Sequence, residues 1–224
     1  MDEVTERFPI YKLHKTAGKT YRDNLKSITR GEPIEDMSQF NGLCPDELLQ
    51  SAINAQQIFA KDLMPLKRRL LSPHHLQVCI DTFNRYFDAQ YEEGHNFCTE
   101  QTQQDVLKTR GVTVGFLITL VLCMPSSQAE LYSPEDPCLI QLSLFVAFFN
   151  DLIGLYKDIE SIEQQNDGSA YLNLVRISTR EHRLSEEDAI RRYSHILNYF
   201  TYHFEFCIGA YPPLRQNFYH ECLK

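Results

Sequence analysis

The sequence predicts one all-α domain. Helical periodicity dominates its 224 residues, and no stretch alternates polar and apolar residues as a half-buried strand would. Ser72-Pro73, Asp136-Pro137 and Ser185-Glu-Glu-Asp188 are typical helix starts, because the Ser or Asp side chain accepts the first free backbone N–H groups. With 43% hydrophobic residues the chain can bury a substantial core, which excludes global disorder.

The first half of the chain is predicted to be its less regular part. Residues 14–44 contain three glycines and one proline, and we expect little regular structure there. Pro45 opens a helical pattern that continues to about Met64, where Pro65 is expected to end or kink the helix.

The remaining helices are predicted from their starting residues. Ser72 begins a helix that runs towards Gly94, and a polar stretch over residues 98–104 leads into a further helix. Asp136 begins the most apolar helix of the chain. Ser185 opens the last one, in which aromatic and aliphatic residues recur at helical spacing.

Composition excludes several classes of protein. The net charge of −8 argues against a nucleic-acid binder, which would carry a basic surface. Seven dispersed cysteines without a C-x-x-C pair predict reduced thiols in an intracellular protein and no zinc ribbon. The acidic N-terminus has no signal-peptide pattern, and the apolar runs 112–124 and 138–149 are too short to span a bilayer. We therefore expect a cytoplasmic protein without membrane insertion.

One polar segment on the most apolar helix is the main functional feature. Asn150, Gly154 and Asp158 are spaced by four residues and follow twelve nearly continuous apolar positions. Residues at this spacing share one face of a helix. This amide and this carboxylate lie on a helix that is predicted to be buried, and burying an unpaired carboxylate is costly. Their presence there therefore indicates a chemical function.

The segment Asn150-Asp151-x-x-Gly154-x-x-Lys157-Asp158 resembles the second metal-binding motif of class I terpene synthases, N-D-x-x-S/T-x-x-K-E/D. The residues that follow also resemble the family, in the order Asp167-Gly168, Asn173-Leu174-Val175 and Leu184-Ser185-Glu-Glu-x-Ala189. The alternative is a solvated acidic helix end, which leaves Asn150 and the downstream residues unexplained. The resemblance, to the microbial type of the family, implies the helical bundle of isoprenoid synthases.

The resemblance also implies a magnesium site. In the family, the first, fifth and ninth motif positions hold one ion of a three-magnesium cluster, and these positions are Asn150, Gly154 and Asp158 here. Magnesium prefers such hard oxygen ligands. Gly154 departs from the family, because it lacks the usual hydroxyl group. Either water replaces that ligand or metal binding is weaker.

Two basic residues match diphosphate-binding positions of the family. Arg110-Gly-Val-Thr113-Val-Gly115 resembles the R-x-x-T-x-G segment with the diphosphate-sensing arginine, at close to the family spacing from Asn150. A guanidinium can bind a diphosphate bidentately. Lys157 is a second candidate contact. The alternatives are a surface ion pair for Arg110 and a solvated side chain for Lys157.

The chain start is the candidate for the first, aspartate-rich motif. Asp2-Glu3-Val-Thr-Glu6 fits D-[DE]-x-x-[DE], and by resemblance Asp2, Glu3 and Glu6 would hold the other two magnesium ions. The alternative is an ordinary solvated terminus.

Family members have further helices before this motif and an Arg-Tyr pair near the C-terminus. Arg192-Tyr193 lies too early in the sequence to be that pair. We therefore expect residues 1–224 to form a single but partial catalytic domain, without the N-terminal helices and the Arg-Tyr segment.

The implied function is magnesium-dependent ionisation of a prenyl diphosphate, farnesyl or geranylgeranyl, followed by cyclisation to a sesquiterpene or diterpene. The enzyme would act as a monomer or homodimer. Aromatic rings can stabilise carbocations, although an aromatic stripe is more often plain core. The aromatic residues nearest the motifs are Phe83, Phe87, Phe116, Phe145 and Phe149.

Three alternatives remain open. The chain is an inactive descendant of a synthase, which Gly154 and the absent segments favour, or a chain-elongating prenyl synthase, or an unrelated helical interaction module. An elongating synthase should carry a second DDxxD motif where this chain has the Asn150 segment. A transcript that extends in both directions, with an upstream aspartate and a downstream Arg-Tyr, would favour the active enzyme over the inactive one.

Overall fold

A computed structural model describes residues 14–96, 101–165 and 172–222. These residues form helices connected by short turns, and the described ranges contain no strand apart from one isolated bridge between Asn41 and Cys44. The all-α prediction is confirmed.

The α-helices are α1 (Lys15–Arg30), α2 (Asp46–Ile58), α3 (Met64–Leu70), α4 (Pro73–Asn96), α5 (Gln103–Thr113), α6 (Phe116–Cys123), α7 (Pro137–Gln165), α8 (Leu174–His182), α9 (Glu186–Gly209) and α10 (Pro213–Cys222). Two 3₁₀ segments (Met37–Phe40 and Ser126–Leu131) and a π segment (Phe59–Leu63) lie between them.

Helix α1 corrects the prediction that residues 14–44 lack regular structure. Ala17, Tyr21, Leu25 and Ile28 recur every three to four residues and are all buried. This packing outweighs the low helix propensity of Gly18. The helix ends at Gly31, whose φ of +76° is readily adopted only by glycine.

The helical backbone continues through Pro65 instead of ending there. The π segment Phe59–Leu63 joins α2 to α3, and the N–H of Met64 bonds the carbonyl of Phe59. Pro65 then lies in the first turn of α3, where its missing N–H costs no intrahelical hydrogen bond. The proline is thus accommodated next to a local irregularity within a helical stretch over residues 46–70.

The predicted helix starts are confirmed. Ser72 Oγ accepts from the N–H of His75 at 3.2 Å, and Ser185 Oγ accepts from the N–H of Asp188 at 3.1 Å. Asp136 Oδ1 accepts from the N–H of Cys138 at 2.9 Å. Helix α4 continues two residues beyond Gly94.

Helix α7 is surrounded by neighbours. It packs against α5, α6, α8 and α9, while α4 packs against α1, α5 and α6. A cluster of buried apolar residues from α5, α7, α8 and α9 lies behind the second half of α7. This packing holds the polar segment of α7 against the end of α5 and the start of α8.

The apolar runs 112–124 and 138–149 are parts of longer apolar helical stretches. On their own, these runs are predicted to be too short to span a bilayer. By length and composition, Gln103–Cys123 and Pro137–Glu160 would each be sufficient to cross a membrane. The first is broken at Gly115, which has a φ of +77° between α5 and α6. The second packs against four helices and carries the buried, ion-paired Asp151. These contacts are those of a packed helical bundle.

Asp136 fastens α10 to the start of α7. Its carboxylate is buried, and besides the N–H of Cys138 it accepts from Arg215 Nη2 at 2.9 Å and from Tyr219 Oη at 2.5 Å. Tyr219 is fully buried. One side chain therefore caps α7 and satisfies a buried hydroxyl group on α10.

We expect Asp136→Ala to lower the free energy of unfolding by roughly 2–4 kcal/mol, because it removes a helix cap and leaves the Tyr219 hydroxyl without its acceptor. Urea unfolding followed by circular dichroism measures this loss. Ser185→Ala is the matched control, because it removes only a cap and should cost about 1 kcal/mol. Equal losses in the two variants would contradict the anchoring role of Asp136.

Candidate metal site

Helix α7 is continuous through the polar segment, so that Asn150, Gly154 and Asp158 lie on one face, about one turn apart. Asn150 is exposed, whereas Gly154 and Asp158 are half-buried. A Cβ atom built on Gly154 would lie 3.5 Å from Asp158 Oδ2. The three predicted positions therefore form one strip, which we call the α7 strip.

The Asp158 carboxylate lies in an environment that disfavours its charge. Burial is the largest cause and raises its pKa, and the negative charge of Asp151 adds to this effect. A hydrogen bond from Asn173 and the positive charges of Arg110 and Lys157 act in the opposite direction. A cation placed against this carboxylate would offset the cost of burying it.

Asp151 is the most deeply buried charged group near the strip, at 0% exposure. Its Oδ1 atom forms an ion pair with Arg110 Nη2, and its Oδ2 atom accepts from the N–H of Leu174 at 2.9 Å. Its main-chain carbonyl accepts from Asn173 Nδ2 at 2.7 Å. Asp151 thus joins α5 and the start of α8 to α7, a role that the sequence did not reveal.

Arg110 is not a surface residue. It is 9% exposed on α5, which excludes the alternative of a solvent-exposed ion pair. Its Nη2 atom pairs with Asp151, which directly follows Asn150 and is linked to Asp158 through Asn173. Thr113, three residues later, donates to buried Glu93 at 3.0 Å, and Gly115 then breaks the helix. The structure therefore brings the R-x-x-T-x-G segment to the α7 strip.

Lys157 lies next to the strip and is exposed. Its charge also lowers the pKa of Asp158. An exposed lysine at this position can reach an anion in front of the strip at little desolvation cost.

Asn173 links the downstream motif to the strip. Its Oδ1 atom accepts from the N–H groups of Val175 and Arg176 at 3.1 and 3.2 Å, which caps α8. Its Nδ2 atom donates to Asp158 Oδ2 at 2.8 Å. The sequence offered this asparagine only as part of a resemblance. Its contact with Asp158 depends on how the chain returns to α7.

Some predicted residues lie outside the described ranges. These are Asp2, Glu3 and Glu6 of the candidate first motif, and Asp167-Gly168 of the downstream motif. Tyr193 is fully buried in α9 and contacts Phe148. Tyr193 is therefore part of the core.

The five aromatic candidates lie in different surroundings. Phe83 and Phe87 are stacked, pack edge-on against Phe59 and are 1% exposed, so that they are plain core. Phe116, on α6, is partly buried against another apolar cluster. Phe145 and Phe149 also stack, at 6.4 Å between ring centroids, but Phe149 is 49% exposed and directly precedes Asn150. This last pair lies beside the strip.

Within the described ranges, no three His, Cys, Asp or Glu side chains are grouped closely enough to hold a metal ion. The α7 strip instead offers one carboxylate and one amide oxygen. This small set fits an ion such as magnesium, which keeps several waters and is completed by phosphate oxygens.

We expect Asp151→Asn to lower the free energy of unfolding by roughly 3–5 kcal/mol, because it removes the negative charge of a buried ion pair with Arg110. Chemical denaturation measures this loss. Asp81→Asn, which neutralises an exposed aspartate on α4, should change stability by less than about 0.5 kcal/mol. If the two variants proved equally stable, the buried ion pair would have no structural importance.

Comparisons with known proteins identify the family of this chain. Residues 34–199 match the family model described as "Terpene synthase family 2, C-terminal metal binding". The chain is also 46% identical over 224 residues to the (+)-bicyclogermacrene synthase TS4 of Penicillium expansum. That alignment covers 100% of this chain and 58% of the relative, so the chain spans little more than half the length of the relative. Because the family model matches most of the chain, including the whole α7 strip, the protein belongs to the terpene synthase family, whose members bind metal.

Proposed function

We propose that the protein catalyses magnesium-dependent ionisation of a prenyl diphosphate and cyclisation of the resulting cation, with release of diphosphate. The observation that carries this proposal is the α7 strip beside Arg110. Oxygen ligands and a buried guanidinium that are joined through Asp151 and Asn173 are suited to a metal-bound diphosphate. We further propose a cytoplasmic enzyme that acts as a monomer or homodimer.

Asn150 and Asp158 are the described residues that would hold magnesium. Asn150 is exposed and can turn its amide oxygen to an ion, while one oxygen of Asp158 is already fixed by Asn173. When bound, magnesium supplies Lewis-acid stabilisation of the leaving diphosphate. We propose that Asp2, Glu3 and Glu6 hold the other two ions of a three-ion cluster.

Arg110 and Lys157 would hold the diphosphate. A guanidinium has five N–H donors in a rigid plane, and the ion pair with Asp151 holds one of its terminal nitrogens, Nη2, next to α7. Lys157 adds a positive charge from the exposed side of the strip. These two groups would stabilise the negative charge that develops as the carbon–oxygen bond breaks.

The cation requires an apolar surface and the exclusion of water, and no amino-acid nucleophile. The stacked Phe145 and Phe149 place an aromatic surface next to Asn150, and the faces of aromatic rings attract cations. The relative from Penicillium expansum is named for a (+)-bicyclogermacrene product. We therefore propose farnesyl diphosphate as the first substrate to test, ahead of geranylgeranyl diphosphate.

The test is incubation of the purified protein with magnesium and C10, C15 or C20 prenyl diphosphates, followed by gas chromatography and mass spectrometry. We expect a cyclic hydrocarbon or alcohol from one substrate, and its loss in EDTA and in Asn150→Ala. Asn198→Ala removes an exposed asparagine from α9 and should leave the product unchanged. A folded protein that gives no product from any of the three substrates would contradict the proposed activity.

Gly154 favours an inactive protein as the second candidate, because the strip lacks the hydroxyl ligand that the family usually has. We expect Gly154→Ser to lower the magnesium concentration needed for half-maximal activity several-fold. The new Cβ meets Asp158 only at ordinary contact distance, so the hydroxyl group fits. A magnesium titration measures the effect.

Gly154→Ala is the matched control for this substitution. It should stabilise α7 by up to about 1 kcal/mol through helix propensity, without supplying a ligand. An equal magnesium requirement in the Ser and Ala variants would show that position 154 does not face the metal.

A further inference from the structure

We infer that Asn173 is a positioning residue that fixes the carboxylate of Asp158 for metal binding. Its Nδ2 atom donates to Asp158 Oδ2 at 2.8 Å and to the main-chain carbonyl of Asp151 at 2.7 Å. The side chain is fully buried, at 0% exposure. This inference rests on the proposed metal site, but it concerns a residue that would not itself touch the metal.

The amide of Asn173 can take only one orientation. An asparagine side chain offers two donor hydrogens and two acceptor lone pairs. Oδ1 uses both lone pairs on the N–H groups of Val175 and Arg176, and Nδ2 uses both hydrogens on Asp151 and Asp158. Turning the amide over would put donors against donors and acceptors against acceptors. Four hydrogen bonds therefore hold the Nδ2 group in front of Asp158.

This donor restrains the rotation of the Asp158 carboxylate. The hydrogen bond occupies one acceptor site of Oδ2, so Oδ1 and the second lone pair of Oδ2 can still accept an ion on the α7 strip. Position 154 has no side chain that would orient the carboxylate from the other side. Without Asn173, Asp158 would have to lose rotational freedom when the metal binds, and that entropy cost would weaken binding.

The same helix start also holds the diphosphate side of the site. The N–H of Leu174, adjacent to Asn173, donates to Asp151 Oδ2, and Asp151 pairs with Arg110. The first residues of α8 therefore position the metal ligand through Asn173 and the guanidinium through Asp151. A partner that orients a ligand in this way typically contributes 10- to 100-fold to metal affinity.

The experiment measures Mn²⁺ binding to the purified chain by electron paramagnetic resonance, with and without inorganic diphosphate. Asn173→Ser keeps an oxygen that can cap α8 but cannot reach Asp158 as a donor. We expect Mn²⁺ to bind about 10- to 100-fold more weakly at one site. In the activity assay, added metal should restore kcat in Asn173→Ser but not in Asp158→Ala.

Two further variants separate positioning from a general loss of stability. Asn173→Thr is a second variant that keeps a capping oxygen but has no donor that reaches Asp158, so it should weaken Mn²⁺ binding even if the Ser variant fails to fold. Ser72→Ala removes the cap of α4 and should leave the affinity unchanged.

The outcomes are distinguishable. If Asp158→Ala abolishes one Mn²⁺ site while folded Asn173→Ser and Asn173→Thr bind as the parent does, the positioning role is overturned and the metal site stands. If the parent protein binds no Mn²⁺ even with diphosphate, or Asp158→Ala has no effect, the proposed metal site fails and the role of Asn173 fails with it.

Discussion

The ion pair between Asp151 and Arg110 is buried where α5, α7 and α8 meet, and it determines how these three helices are arranged. Buried charges are tolerated only when they are paired and hydrogen-bonded. Here the Asp151 carboxylate pairs with Arg110 and also accepts from the N–H of Leu174. Any rearrangement that separated α5 or α8 from α7 would leave at least one buried charge or donor unsatisfied.

The α7 strip depends on this arrangement. Asn173 can donate to Asp158 only if the start of α8 packs against α7 at the level of Asp158. Asp151 fixes that position through Leu174, and Asn173 then donates to both Asp151 and Asp158. The structural and the proposed catalytic groups thus share one hydrogen-bond network. This shared network explains how the half-buried carboxylate of Asp158 and the buried Arg110 are held near each other.

The sequence predicts what is local and misses what depends on distant neighbours. Helix starts at Ser72, Asp136 and Ser185 were predictable, because a cap bonds the backbone within three residues. Helix α1 is not predicted although its apolar residues recur at helical spacing, because the glycines and the proline of residues 14–44 indicate irregular structure more strongly. Spacing on α7 located the strip. The partners of Asp151 and Asn173 lie on other helices or after a connection, and periodicity gives no information about which helices meet.

The most direct test is a crystal structure of the protein with Mn²⁺ and inorganic diphosphate, with the ions located by anomalous scattering. The account predicts an anomalous peak within about 2.0–2.4 Å of the side-chain oxygens of Asn150 and Asp158, as expected for a hard cation with oxygen ligands. It also predicts Arg110 in contact with the diphosphate and Asn173 still donating to Asp158. Ions bound away from both Asn150 and Asp158 would contradict the central claim.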